Sequence, residues 1–383
     1  MLTKEQYILR VVLLIFALGG FFLIDLGKIL SDSHLPTFSG TILKTTPLPN
    51  PPQIIKAVYF TASSAGNQNK VDYLIKLAKE TEINAVVMDI KDYSGHIAYD
   101  TGLAEVEKYK TARIIIPELD SLIRKLHDEG IYVIARMVIF QDPALASARP
   151  DLAVKNGQRL WTDNKGLAWI DPAAKEAWDY NIAIARDAAS RGFDEINFDY
   201  IRFPTDGNLS AITYPLWDRK VPMRAVISEF FEKLRQGLPD VKLSVDLFGF
   251  VMTKKEDFGV GQVVEDAFKY FDFISPMLYP SHYPDTYMGF ANPAEHPYEI
   301  IKTAMDSGFK RLRDFRQSTE NSLARARSIN FRPWIQDFNL GANYDSAMVK
   351  SEIKAVADAM GEAYGGFMVW NANNKYTEDA LYK

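Results

Sequence analysis

At 383 residues the chain exceeds the usual single domain, although α/β barrels of this length form one unit. A formal net charge of −5 argues against a nucleic-acid binder, which would carry a basic face. With no cysteine, disulfides, thiolate catalysis and zinc–thiolate sites are excluded. The 19 Tyr, 23 Phe and 6 Trp supply rings that either fill cores or stack on sugars.

In chain order, Lys4 and Arg10 precede a charge-free run at residues 11–24. It is short for a relaxed membrane helix of about 20 residues, but Tyr7 and Ile8 extend it and Arg10 can snorkel to the interface. No small-x-small cleavage site follows, so the expectation for 1–30 is an uncleaved transmembrane anchor with the N-terminus inside, ahead of a cleaved signal or a buried core helix. Residues 31–53, rich in Ser, Thr and Pro, read as an extended stalk between anchor and domain. The localisation expected is membrane-anchored, with residues 54–383 extracytoplasmic.

Beyond residue 53, β-branched runs alternate with segments of helical period. Strands are expected at 55–62, 84–92, 132–140, 195–203, 242–250, 273–279, 333–339 and 366–371. Helices are expected at 70–81, 117–129, 172–191, 222–238, 261–270, 298–315 and 346–360, with a short eighth from 378. Eight strand–helix pairs and no Gly-rich first turn favour a (β/α)8 TIM barrel over an open doubly wound sheet. The long connections at 141–170 and 204–221 then lie on the face where barrels build active sites.

Alternation along the fourth strand puts Glu195, Asn197 and Asp199 on one face and Ile196, Phe198 and Tyr200 on the other. The apolar set must meet the helices, which turns the polar set into the barrel. Asp199, near the strand's C-terminal end, is either catalytic or paired with Arg136 or Arg202 to hold the barrel. On the fifth strand Leu243, Val245 and Leu247 face the helices and Asp246 faces inward, as acid/base, hydroxyl ligand or structural group. Carboxyls about 5–6 Å or about 7–10 Å apart would suit retaining or inverting glycoside hydrolysis respectively.

On the second strand, Asp89 shares its parity with Lys91, whose charge should depress the Asp89 pKa; both are expected to hold sugar hydroxyls, with Arg136. On the seventh, Trp334 and Gln336 form an inward aromatic and amide pair, and Asp337 is a third carboxylate or alternative acid. Tyr59, Trp334 and Trp370 are expected to stack sugar rings, while Asn197, Arg202, Tyr279 and His282 complete the substrate-binding set. The five His residues lack His-x-His and His-Glu-x-x-His spacing, so neither a metal nor another cofactor is expected.

The segments Phe193–Pro204, Ile274–Tyr283 and Arg332–Phe338 resemble hallmarks of the bacterial "putative glycoside hydrolase" barrels, in order, over residue 55 to the C-terminus. The resemblance implies a TIM barrel acting on carbohydrate. More distantly, the fourth strand is similar to the Asp-x-x-Asp-x-Asp-x-Glu of family 18 chitinases: Asp194, Asn197 and Asp199 take the first three places and Ile201 stands at the acid's. Met277 and Tyr279 match those enzymes' sixth-strand Met-x-Tyr-Asp, with Pro280 in the Asp position. In α-amylase-type barrels the nucleophile, acid and further Asp fall where Asp199, Asp246 and Asp337 stand, the usual acid there being Glu. The expected function is therefore hydrolysis of an envelope or extracellular polysaccharide, with paired carboxylates and a retaining mechanism. The alternatives are a non-catalytic carbohydrate-binding barrel of the cell envelope and an envelope scaffold.

Overall fold

The computed structural model describes residues 46–318 and 329–382. Eight parallel strands, β1 (Ile55–Phe60), β2 (Ala85–Lys91), β3 (Tyr132–Val138), β4 (Glu195–Asp199), β5 (Leu243–Phe248), β6 (Phe273–Met277), β7 (Trp334–Gln336) and β8 (Gly366–Trp370), follow one another around a closed sheet. The β7–β6 pairing Trp334↔Met277 closes it, with the Leu278 N–H donating to the Trp334 carbonyl at 3.0 Å. This is the expected (β/α)8 barrel. Every residue of β2 and β3 is buried, as in strands enclosed between a barrel interior and a helix layer.

Seven crossover helices cover the outside: α1 (Gln68–Glu80), α2 (Leu119–Asp128), α3 (Lys175–Ser190), α4 (Met223–Gly237), α5 (Val264–Ala267), α6 (Pro297–Ser318) and α7 (Ser346–Met360). Side-chain caps start α1 and α7: the Asn67 carboxamide accepts from the N–H of Asn69 and Lys70, and Asp345 from that of Met348. Val71, Leu74, Ile75 and Leu77 then line the buried face of α1. The expected helix at 261–270 contracts to α5, and the expected eighth is a single 3-10 turn, Glu378–Ala380.

Two other expectations are corrected. The fourth strand was expected to run to residue 203, but β4 stops at Asp199 because Tyr200 takes the left-handed conformation (φ 54°). The seventh, expected over 333–339, spans only Trp334–Gln336, which pairs with β8; a separate pair, Asn330–Phe331, joins β6 ahead of Pro333, which has no N–H to give.

The expected anchor and most of the expected stalk lie outside the described residues, within which no helix is long and apolar enough to cross a membrane. The last stalk residues are docked on the domain. Leu48 packs against the apolar side chains inside the barrel, and its N–H donates to Asp194 Oδ1 at 2.6 Å.

Strand parity holds on β4 and β5. Ile196, Phe198, Leu243, Val245 and Leu247 join the core between sheet and helices. Their alternates point inward, starting with a fully buried Glu195–Arg332 ion pair that also takes the Tyr132 hydroxyl.

Candidate active site

Arg136 organises the next layers. On β3 it lies level with Asp89 of β2 and Asn197 of β4. Its Nη1 donates to Asp89 Oδ1 at 2.6 Å, its Nη2 to Asp199 Oδ2, and its Nε stands 3.6 Å from Asp246 Oδ2. Burial works against the guanidinium charge, yet Asp89, Asp199, Tyr59 and Asp246 hold its pKa above the ordinary arginine value. Three carboxylates from three strands thus share one cation.

Asp199 is the last residue of β4, and its second oxygen accepts the Tyr200 N–H at 2.6 Å. The left-handed turn at Tyr200 brings that N–H round to the carboxylate, a backbone outlier of the kind found at functional sites. The register Asn197↔Ser244 and Phe198↔Val245 continues to set Asp199 and Asp246 at one level on neighbouring strands, whose backbones run about 4.8 Å apart. Asp246 Oδ1 accepts from Asn197 Nδ2 at 2.9 Å and from Trp334 Nε1 at 2.8 Å. Burial and then the Asp199 charge push its carboxyl up to about 8, against Arg136 and these two donors. A neutral acid beside a carboxylate held by a guanidinium is the division of roles acid/base chemistry needs.

Asp89 departs from expectation. Lys91 does not pair with it: the fully buried Lys91 ammonium bonds Asp142 Oδ2 at 2.7 Å and the Val138 carbonyl at 2.6 Å. The β2–β3 register slips between Asp89 and Lys91, which separates two residues that alternation alone would keep together. Burial therefore raises the Asp89 pKa, opposed by Arg136 and by the Tyr59 hydroxyl bonded to its Oδ2.

Of the three expected stacking rings, only Trp370 keeps exposed surface. Trp334 is 1% exposed and Tyr59 5%. Trp370 stacks on Tyr59 at 4.0 Å and meets Trp334 edge-on at 5.5 Å, with the Arg136 guanidinium over both Tyr59 and Trp370. Tyr59 and Trp334 support the site from below. Tyr279 stands against Phe338 and the exposed His282. Burial, Asp246 and Asp199 all raise the Tyr279 pKa, which puts this ring within the field of the carboxylates.

Gln336 and Asp337 fall outside the cluster. The fully buried Gln336 brackets two loops, accepting from Ser281 Oγ at 2.8 Å and donating to the Phe338 carbonyl at 2.9 Å. Asp337, expected as a third carboxylate, accepts from the N–H and hydroxyl of Thr377 at 2.8 and 2.7 Å. Its parity is opposite to that of Trp334, and no bulge returns it to the barrel axis. Arg202 bonds neither Asp199 nor Asp246; its guanidinium lies against the rings of Tyr200 and Phe248, at 4.9 and 4.8 Å.

Sequence reasoning missed Ser244, which takes the second Asn197 Nδ2 contact at 3.0 Å, although it shares the Asp246 parity. It also missed Phe338 and the buried Glu352, which reaches the Gln336 N–H from α7; no strand pattern could point to Glu352. Trp161 and Trp169, on the long connection after β3, are buried against the loop that follows β4: Trp161 Nε1 donates to the Asn208 carbonyl at 2.9 Å and Trp169 meets the Tyr200 ring at 5.9 Å. A hollow of about 540 Å³ bordered by Ser94, His96, Tyr109, Ser147 and Leu167 shares no residue with the carboxylate cluster.

The fold is that of the (β/α)8 TIM-barrel enzymes, with Asp199 and Asp246 on adjacent strands near their C-terminal ends. The chain belongs to the family described as "Putative glycosyl hydrolase domain", whose model matches residues 57–376, and is with it a putative glycosidase. The PgaB (BpsB) glycoside hydrolase domain of Bordetella bronchiseptica shares the fold, with TM-score 0.57 and 13% identity over 86% of this chain and 99% of that one. A hypothetical protein of Ruminiclostridium thermocellum is 38% identical over 49% of this chain and 96% of its own, with TM-score 0.46. Active domain 2 of the Pyrococcus furiosus chitinase gives 13% identity over 87% and 90%, with TM-score 0.48. No curated protein matches the sequence.

Proposed function

We propose that this chain hydrolyses an envelope or extracellular polysaccharide by a retaining mechanism. Asp199 attacks the anomeric carbon. Asp246 gives its proton to the departing glycosidic oxygen and later takes one from the water that releases the sugar. The observation that carries this reading is the placement of Asp199 and Asp246 at one level on adjacent strands against one guanidinium, with Asp246 raised to about 8. Adjacent strands favour the short carboxyl separation of about 5–5.5 Å that retaining enzymes use. Trp370, partly exposed and stacked on Tyr59, supplies the sugar platform, and Tyr279 and His282 line the site beside it. The charge-free segment 11–24 holds the domain at the extracytoplasmic face.

The test is release of reducing ends from a panel of cell-wall and exopolysaccharides, with product anomers followed by NMR. Wild-type chain should give the retained anomer first, and Asp199→Asn should give no turnover while still binding glycan. An inverted first product would remove Asp199 from the nucleophile's role.

One observation favours a second reading. Ile201, where family 18 chitinases carry their acid, is fully buried, and Asp246 itself is 1% exposed. A carbohydrate-binding barrel without turnover would bind oligosaccharide and release no reducing ends over long incubation.

A further inference from the structure

Five arginines of the described residues are buried: Arg136, Arg191, Arg202, Arg311 and Arg332. Four meet carboxylates: Arg136 as above, Arg191 with Asp187 and Asp120, Arg311 with Glu265, and Arg332 with Glu195. Arg202 meets none. It is 7% exposed, and its guanidinium sits among three rings, 4.8 Å from Trp169, 4.9 Å from Tyr200 and 4.8 Å from Phe248. Nη1 donates to the Phe203 carbonyl at 3.1 Å and to Thr205 Oγ1 at 3.2 Å. Nε and Nη2 have no acceptor among the described residues, yet neither is sealed from solvent.

A buried cation with no carboxylate in bonding contact is costly, and the more distant charges of Asp199, Asp206 and Asp163 and the aromatic faces offset only part of that cost. Burial accordingly pulls the Arg202 pKa below the ordinary arginine value. The position matters as much as the missing partner. Arg202 is three residues past Asp199, whose charge reaches it, and Phe248 is two residues past Asp246. The guanidinium therefore stands over the tips of β4 and β5, beside the proposed catalytic pair. Its open edge carries two parallel N–H groups, the pattern that matches both oxygens of a planar carboxylate.

We propose that Arg202 receives the carboxylate of a uronic acid unit, so that the polysaccharide this barrel takes is an acidic one. This rests on the glycosidase reading above and names its substrate class. With Arg136 already taken up by Asp89 and Asp199, Arg202 is the buried cation left to receive a substrate carboxylate, so a uronate held there also fixes which glycosidic bond lies over Asp199.

The test uses the full-length chain in detergent, carrying Asp199→Asn so that ligand is not consumed. Oligomers of polygalacturonate, alginate and hyaluronan are titrated against their carboxyl-reduced neutral counterparts and against sulfated dextran oligomers. At least one uronate oligomer should bind, and carboxyl reduction should weaken it about tenfold or more. Arg202→Gln, added to the same chain, should abolish the difference between native and reduced oligomer. Because Arg202 also holds Phe203 and Thr205, that variant could misfold; the native-against-reduced comparison needs no change at Arg202. Equal affinity for the reduced oligomer, preference for sulfate esters, or no uronate binding at millimolar sugar each overturns the proposal. A neutral polymer cleaved with no preference for acidic ones would leave the glycosidase reading standing and this one refuted. Uronate binding that needs Arg202, with no reducing ends released by the unsubstituted chain, would do the reverse.

Discussion

The Trp334 indole N–H donates to Asp246 Oδ1 at 2.8 Å, tying the seventh strand to the carboxyl of the fifth. That bond favours the ionised carboxylate, while burial and the Asp199 charge favour the neutral acid and prevail. Trp334→Phe removes the donor without emptying the space. The Asp246 pKa should rise further, so the alkaline limb of kcat/KM, where the acid loses its proton, should move to higher pH. Stability should fall by about 0.5–1.5 kcal/mol for the lost hydrogen bond, since Asn197 still donates to the same oxygen. A pH–rate profile of the variant checks this, and an unmoved limb would mean that Asp246 is not the titrating acid.

Asp246→Asn tests the same group by chemistry. It keeps the size of the side chain and removes the proton, and general-acid catalysis is worth about 10²–10⁴-fold. Turnover on sugars with poor leaving groups should drop by that order. An aryl glycoside whose phenolate leaves without protonation should be far less affected in its first step. Equal losses on both substrates would count against Asp246 as the proton donor.

Arg136 is the common counter-charge for Asp89, Asp199 and Asp246. Arg136→Met should cost about 3–5 kcal/mol at neutral pH, because buried carboxylates are left uncompensated. The loss should shrink as pH falls toward about 4, where the carboxyls of the unfolded chain are protonated as well and the missing guanidinium matters less. Urea unfolding at the two pH values measures it, and a loss that does not depend on pH would assign Arg136 a packing role only.

How much of this was legible beforehand follows from which interactions are local. The inward parity of Asn197, Asp199 and Asp246 depends on strand alternation and is written in the apolar residues between them. Arg136 as their partner was also within reach, since it shares that parity on the neighbouring strand. What alternation cannot carry is a break in the strand. The left-handed Tyr200 ends β4, and the register slip after Asp89 sends Lys91 to Asp142. Likewise, nothing near Gln336 in sequence announces that Ser281 and Glu352 will claim it from two other elements.

Leu48 shows that the domain begins before the first strand. Its side chain packs into the inner apolar cluster and its N–H is held by Asp194, which also receives the Val133 N–H at 2.7 Å and His127 Nε2 at 3.0 Å. A chain starting at Ile54 should be less stable than one starting at Thr46 by about 1–2 kcal/mol, from lost apolar contact and one hydrogen bond. Leu48→Ala in the longer chain should recover much of that difference. Thermal unfolding compares the three, and equal Tm values would show the contact to be without weight.

The buried acids set a direction for stability against pH. Asp246, Asp89 and Glu352 all have folded pKa values raised, chiefly by burial, above the value of about 4 that they take when unfolded. Between the two values the folded chain binds more protons than the unfolded one, so stability must fall as pH rises. Their contribution is whole below about pH 4 and, for Asp246, is lost as pH passes through about 8. Surface carboxylates such as Asp72 and Asp151, lowered by Lys125 and Arg149, act the other way and lose their contribution in acid. Tm should therefore peak in mild acid and decline from about pH 6 to about pH 9. Asp246→Asn removes one of the proton-binding groups and should flatten that decline. A variant slope equal to that of the unsubstituted chain would show that Asp246 is ionised in the folded protein at neutral pH, and it could not then supply a proton to the leaving sugar.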